Sequence, residues 1–301
     1  MSDATPLSNL VVLMGTTAET LRRTMAGARF LTRLPAQLRR PMTVPEARAI
    51  LLGRLERRDG DFLTLVRRGV YAQPESPYRK MLEIAGCEYA DLDRLVRRDG
   101  LAETLQALCR AGVYLTVEEF KGRRPTIRGG VSIDVTPAGC RNPSLVGHLR
   151  GQSSGSRGPR TEIVKTLESL RDQAVDKCLM FQARGGSWRL AHWDVPGGGL
   201  VAVLTSSLSG TTPERWFSPV DPGDLRLHAR YRWTARAVRW CSLVAGRPLP
   251  RPEHVRVDDP LPIARWMRDV LQAGGQPLLV GYSSAVVALC QAARAVQRYR
   301  A

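Results

Sequence analysis

The stretch Gln276-Pro-Leu-Leu-Val-Gly-Tyr-Ser-Ser-Ala285 most restricts what this chain can fold into. A short apolar run reads as a strand, a tight turn of small residues follows it, and Val286 to Val296 has helical spacing. A strand passing through a tight turn into an amphipathic helix is half of a βαβ unit. The fold class expected is therefore α/β, with a parallel sheet covered by helices.

The rest of the chain divides at about residue 122. Residues 1–122 read as a mainly helical N-terminal region, and residues 123–301 as an α/β domain; the two parts can also pack as one body. Leu21, Met25, Ala28, Phe30 and Leu31 lie among Arg22, Arg23, Arg29, Arg33, Arg39 and Arg40, with no acidic residue between Glu19 and Glu46. Such a basic amphipathic helix either lies on an anionic membrane or packs its apolar stripe on the body, and Pro35 and Pro41 are expected to end it. Thr43, Pro45 and Glu46 form a capping-box start, with Ala47, Ile50, Leu51 and Leu55 as the core face and a second helical stretch after Asp61. Further helices are expected over 78–85, around Leu92 and Val96, around Leu105 and Leu108, and over 162–183, 231–245 and 263–273. Ile127 to Val135 alternates as a strand does, and Trp188 to Leu204 reads as strands around the turn Gly197-Gly-Gly199.

Charge and cysteine usage bound the chemistry. Lys and Arg number 45 against 28 Asp and Glu, a formal +17, and such a field draws polyanions: nucleic acid, anionic membrane or phosphate-rich substrates. The plainer reading is that arginines spread along the chain decorate solvated faces. Six cysteines are scattered with no CxxC pair and no histidine at ligand spacing, which points to reduced thiols, a cytoplasmic location and no structural zinc. No secretory signal and no membrane-spanning apolar run is seen in the sequence. The six tryptophans are expected in the core or at a domain interface, with base stacking as the alternative.

Two serines invite a functional reading. Gly151-Gln-Ser-Ser-Gly-Ser-Arg-Gly-Pro-Arg-Thr161 is either a phosphate-holding loop, with backbone N–H groups, hydroxyls and arginines converging on an anion, or a solvated linker. Ser153 and Ser283 both match a nucleophile elbow, which needs a strand before the serine and a helix after it. Gly158 and Pro159 deny Ser153 that helix, whereas Ser283 satisfies the pattern. Beyond Ser283, however, no Asp, Glu or His follows, so a serine hydrolase would require another chain order. The commoner use of Ser283 and Ser284 is as hydroxyl caps at a helix start. Neither a Walker A sequence nor GxGxxG occurs.

Ser153-Ser-Gly-Ser-Arg-Gly158 resembles the Ser/Thr-Ser-Gly-Thr/Ser-Thr-Gly-Lys-Pro loop of the adenylate-forming acyl ligases, the superfamily that includes acyl-CoA synthetases. The likeness is nearest the phenylacetate-CoA ligase and acyl-protein synthetase branch, and extends to Tyr78–Gly122 and to Pro277–Ser284. The resemblance implies a layered α/β adenylation-type domain that activates a carboxylic acid with ATP and Mg²⁺, passing the acyl group to CoA or a carrier or acceptor protein. It implies that Ser153, Ser154, Ser156, Arg157 and Arg160 hold the ATP phosphates while Gly155 and Gly158 shape the loop. Tyr282 and Ser283 would lie near the acyl or adenine pocket.

Arg157 stands where the family has Thr, and Pro159-Arg160 where it has Lys-Pro, so an arginine would replace the loop lysine by charge rather than by identical geometry. The family's downstream adenylate motif, ribose-binding aspartate and mobile C-terminal domain have no counterpart here. The resemblance therefore implies an N-terminal portion of such an enzyme, with the adenylation domain incomplete, and assigns no catalytic residue. Two alternatives stand beside it: a non-catalytic basic protein that binds nucleic acid or an anionic partner, and a truncated serine hydrolase using Ser283.

Overall fold

The computed structural model describes residues 24–136, 139–140, 149–152, 162–223 and 229–298. Two compact units emerge, one built from the chain up to Ala49, Gly147–Gly151 and Lys165 onward, the other from Ile50–Val146 and Gln152–Val164.

The first unit is a parallel α/β sandwich. Its strands are β5 (Trp188–Trp193), β6 (Arg215–Ser218), β7 (Pro252–His254) and β8 (Gln276–Gly281), numbered after the four short strands β1–β4 described below. Their order is β7-β6-β5-β8 and every pairing is parallel. The chain steps outward from β5 to β6 to β7, then crosses back to place β8 on the other side of β5. Helices α8 (Pro196–Leu208), α9 (Ala229–Val244) and α10 (Leu261–Gln272) make the three crossovers, and α11 (Ser283–Arg298) follows β8. Side-chain alternation assigns the two faces. Trp216 joins a core with Leu170, Leu200, Leu204 and Val238, fed by α1 (residues 24–39), α7 (Leu167–Ala183), α8 and α9. Its neighbour Phe217 joins Ala191, Trp193, Ile263, Trp266 and Leu289 in a second core under α10 and α11.

Local chemistry explains several departures from the expected elements. Residue 35 lies inside α1, whose helix continues to residue 39. A proline there removes the N–H that would reach the Leu31 carbonyl. The Cys241 thiol of α9 takes that carbonyl instead, at 3.4 Å. Phe30, Leu34 and Leu38 of α1 are buried, so its apolar stripe packs on the body. Residues 162–183 are not one helix: β4 (Glu162–Lys165) comes first, and Thr166 then caps α7 by accepting from the Ser169 N–H at 2.9 Å. Gly197-Gly-Gly199 is no strand turn but the first turn of α8, behind Pro196.

The second unit is mainly helical. It holds the greater part of α2 (Val44–Val66), which runs unbroken through Asp61 into a π-helical turn at Arg67–Tyr71, then α3 (Pro77–Ile84), α4 (Tyr89–Asp99), α5 (Leu101–Arg110) and α6 (Val117–Phe120). Its core is Leu63, Val66, Leu82, Leu92, Val96 and Leu108. Leu51 and Leu55, expected in the core, are exposed. Residues 126–133 are a hairpin, β1 (Thr126–Arg128) against β2 (Val131–Ile133), rather than one strand, because Gly129 and Gly130 adopt positive φ between them. Arg128 ties this unit together: it donates to the carbonyls of Gly112 and Tyr114 and to the buried Glu119 carboxylate at 2.9 Å. That carboxylate also accepts from Thr116, and the guanidinium beside it holds it down to about 2. The remaining strand, β3, spans Leu149–Gln152.

Candidate functional site

In open parallel sheets, ligands collect beyond the carboxyl ends of the strands where the strand order reverses. Here that point lies between β5 and β8, which are in register from Trp188 opposite Gln276 to Trp193 opposite Gly281. The two strands approach so closely at their ends that a Cβ on Gly281 would stand 2.9 Å from the Trp193 carbonyl oxygen. The next residues, Asp194 and Tyr282, therefore emerge side by side.

Asp194 is fixed from several directions. Its N–H donates to the Phe217 carbonyl at 3.0 Å, and its own carbonyl accepts from the Trp216 indole at 3.1 Å. One carboxylate oxygen accepts from the Val195 N–H at 2.7 Å, and the Tyr282 hydroxyl donates to the carboxylate. Burial raises the carboxyl above its ordinary range, while Tyr282, Val195 and the Lys177 ammonium pull it down. Burial also raises the Tyr282 phenol, with the Asp194 charge adding to it. The half-exposed phenol remains accessible.

The first turn of α8 leaves the same point. A Cβ on Gly198 would sit 3.6 Å from an Asp194 carboxylate oxygen and 3.9 Å from the Tyr282 hydroxyl, an ordinary contact distance. A Cβ on Gly199 would come within 2.7 Å of the Trp216 ring, so this glycine permits helix and indole to touch.

Behind the carboxylate lies a polar chain through the core. Lys177 of α7 donates to the Ser206 hydroxyl of α8 at 2.9 Å and to the Ala202 carbonyl at 3.3 Å. Ser206 in turn bonds Nε2 of the fully buried His192 of β5, at 2.9 Å. His192 Nδ1 finds no partner among the described residues. Burial, reinforced by the nearby Lys177 charge, pushes the imidazole down to about 3. Burial pushes Lys177 down to about 8 against the pull of Asp194. His192 is thus neutral at pH 7 and committed to Ser206.

Of the residues singled out from sequence, Tyr282 and Ser283 stand at this switch point, Ser283 opening α11 directly after β8. Ser153, Ser154, Gly155, Ser156, Arg157, Gly158 and Arg160 lie outside the described residues, between β3 and β4. Asp194, Lys177, His192 and Ser206 were not anticipated; the available signal was an acid at a strand end followed by Pro-Gly-Gly-Gly. Among the described residues no three His, Cys, Asp or Glu side chains gather as a metal site, and no helix is long and apolar enough to cross a membrane. No protein-family model, curated protein or solved structure matches the chain.

Proposed function

We propose that this protein is an adenylate-forming ligase-like protein that binds ATP and activates a carboxylic acid. The observation that carries the reading is the Asp194–Tyr282 pair at the switch point of a parallel sheet, where nucleotides are accommodated in such folds. In this reading Asp194 accepts hydrogen bonds from the nucleoside's hydroxyl or amino groups, and Tyr282 holds the carboxylate in place. The glycines at the start of α8 leave room for a ligand to approach the backbone. The resemblance assigns the phosphates to the serine- and arginine-rich residues 153–160, with Mg²⁺ as their counter-ion. Mg²⁺ ordinarily keeps several waters and takes one or two carboxylates besides substrate phosphates, so a lone carboxylate fits it better than a closed protein cage would. When bound, it would neutralise phosphate charge. Lys177, close enough to Asp194 to shift it, biases the crevice toward anions without reaching solvent freely.

The test is calorimetric titration of the full chain with ATP, with and without Mg²⁺, alongside ATP–pyrophosphate exchange in the presence of a panel of carboxylic acids. Asp194→Ala is expected to weaken ATP binding about tenfold or more and Tyr282→Phe by less, each being a lost hydrogen bond or its positioning. Arg157→Gln with Arg160→Gln is expected to weaken ATP more than adenosine. Absence of nucleotide binding, or an affinity indifferent to Asp194, would overturn the proposal; binding without exchange for any acid would overturn the ligase part alone.

A further inference from the structure

The positive charge of this chain is not spread evenly. On most elements arginines sit beside carboxylates, as in Arg97–Asp93, Arg98–Asp99, Arg189–Glu214, Arg215–Glu253 and Arg256–Asp258. Residues 24–45, which include α1, and residues 225–252, which include α9 and carry seven arginines, contain no acid. These two helices are neighbours. Leu31 of α1 and Ala235 and Cys241 of α9 pack against the same core, the Cys241 thiol meets the Leu31 carbonyl, and Arg39 donates to the Val244 carbonyl at 2.8 Å.

Helix α9 buries Val238 and Ser242. Trp233, Trp240, Leu243 and Val244, at spacings of three, four and seven, share the opposite face with Arg236. Both indoles are about two-thirds exposed, at 68% and 67%, and Leu243 and Val244 are more than half exposed. The Arg236 guanidinium lies over the Trp233 ring at 5.7 Å. At the end of this stripe Arg39 also lines a concavity of about 480 Å³ with Ala36, Gln37, Arg40 and Arg171. A second pair of cations stands close by: Arg239, whose buried Nε finds no partner among the described residues, feels the like charge of Arg251.

We propose that the α9 face, with the arginines of α1 beside it, docks on an anionic phospholipid surface. Exposed tryptophans flanked by arginines on an acid-free amphipathic helix match the headgroup region, where indoles partition and cations meet phosphates. The Arg39–Arg40 end of that concavity receives a lipid phosphate, Arg171 being paired with Glu46 at 2.6 Å. Duplex nucleic acid would use the arginines but gives Leu243 and Val244 no apolar partner. This inference is independent of the nucleotide reading.

The experiment is co-sedimentation of the full chain with phosphatidylglycerol/phosphatidylcholine vesicles, with pure phosphatidylcholine vesicles and duplex DNA as the other arms. Binding to the anionic vesicles is expected to exceed that to neutral ones by about tenfold or more and to fall at high salt. Trp233→Ser with Trp240→Ser is expected to reduce it about tenfold while leaving the far-UV circular dichroism and urea midpoint unchanged, since both side chains are exposed. Arg236→Gln with Arg40→Gln is expected to reduce it less. Equal binding to neutral vesicles, anionic binding unaffected by the tryptophan changes, or DNA binding without vesicle binding would each overturn the proposal.

Discussion

His192 makes the stability of the sheet unit depend on pH between about 7 and about 5. Its imidazole titrates near 6.5 in an unfolded chain and is pushed down to about 3 in the fold, where it is fully buried behind Ser206. As the pH falls the unfolded chain takes up the proton first. The stabilisation is therefore complete above about 6.5 and drains away toward about 3. Integrating that linkage from about pH 7 to about pH 5 gives a loss of ~2 kcal/mol, because the folded imidazole stays neutral throughout. All six tryptophans lie between residues 188 and 266, inside the sheet unit, so indole fluorescence reads its unfolding without contribution from the helical unit. Urea titrations of the wild type and of His192→Gln, at about pH 7 and about pH 5, isolate the effect. Glutamine removes the titration while keeping a side-chain amide for Ser206, and His148, His228 and His254 cancel in the difference. The variant is expected to be less stable at pH 7 but to lose about 2 kcal/mol less on acidification. Identical pH slopes for the two proteins would refute the reasoning, by showing that the imidazole is free to protonate in the fold.

Two adjacent glycines give opposite signs. Gly199→Ala places a methyl within 2.7 Å of the Trp216 ring, so ~1–3 kcal/mol of overpacking is expected to outweigh the ~1 kcal/mol that alanine gains over glycine in a helix. Gly198→Ala meets only ordinary contacts and is expected to be neutral or stabilising by a few tenths of a kcal/mol; urea midpoints decide both. Ser206→Ala and Ser207→Ala remove equally buried hydroxyls. The first strands His192 and leaves Lys177 only its longer bond to the Ala202 carbonyl, and is expected to cost about 2 kcal/mol more than the second, whose hydroxyl only returns to the Val203 carbonyl; the same titrations measure the difference.

The sheet was legible where a single segment carries its own instruction. Gln276 to Val296 announced a strand, a turn and a helix, and those are β8 and α11. It was illegible where a partner decides. Pro35 should end a helix, and does not because a thiol 206 positions later in the chain accepts the orphaned role of donor to Leu31. Gly197–Gly199 resembled a hairpin turn because glycine disfavours helix, yet Trp216 requires a bare backbone just there. Trp233 and Trp240 were expected in the core or at a domain interface, but α9 buries the face bearing Val238 and Ser242 and leaves both indoles exposed. The Asp194–Tyr282 pair joins residues on strands that are neighbours only because the chain reverses direction across β5, an ordering no local pattern encodes.

The polar residues behind Asp194 are held by α7, β5 and α8, which follow one another in the chain. Thr205, Ser206 and Ser207 are three successive buried hydroxyls in one helix. Two of them return their protons to carbonyls four residues back, Thr205 to Val201 at 2.7 Å and Ser207 to Val203 at 2.9 Å, which satisfies them within α8. Ser206, lying between them on the helix, bonds instead to Lys177 of α7 and His192 of β5, so its bonds link three consecutive elements. Apolar packing alone would tolerate small slides between α7, α8 and the sheet. A half-buried ammonium and a buried imidazole that share one hydroxyl do not, because a shift that lengthens the Ser206–His192 bond leaves the imidazole unpaired in the core at a cost of about 1–3 kcal/mol. The polar chain thereby fixes where Lys177 sits relative to β5, and hence the field at the Asp194 carboxylate where that strand ends.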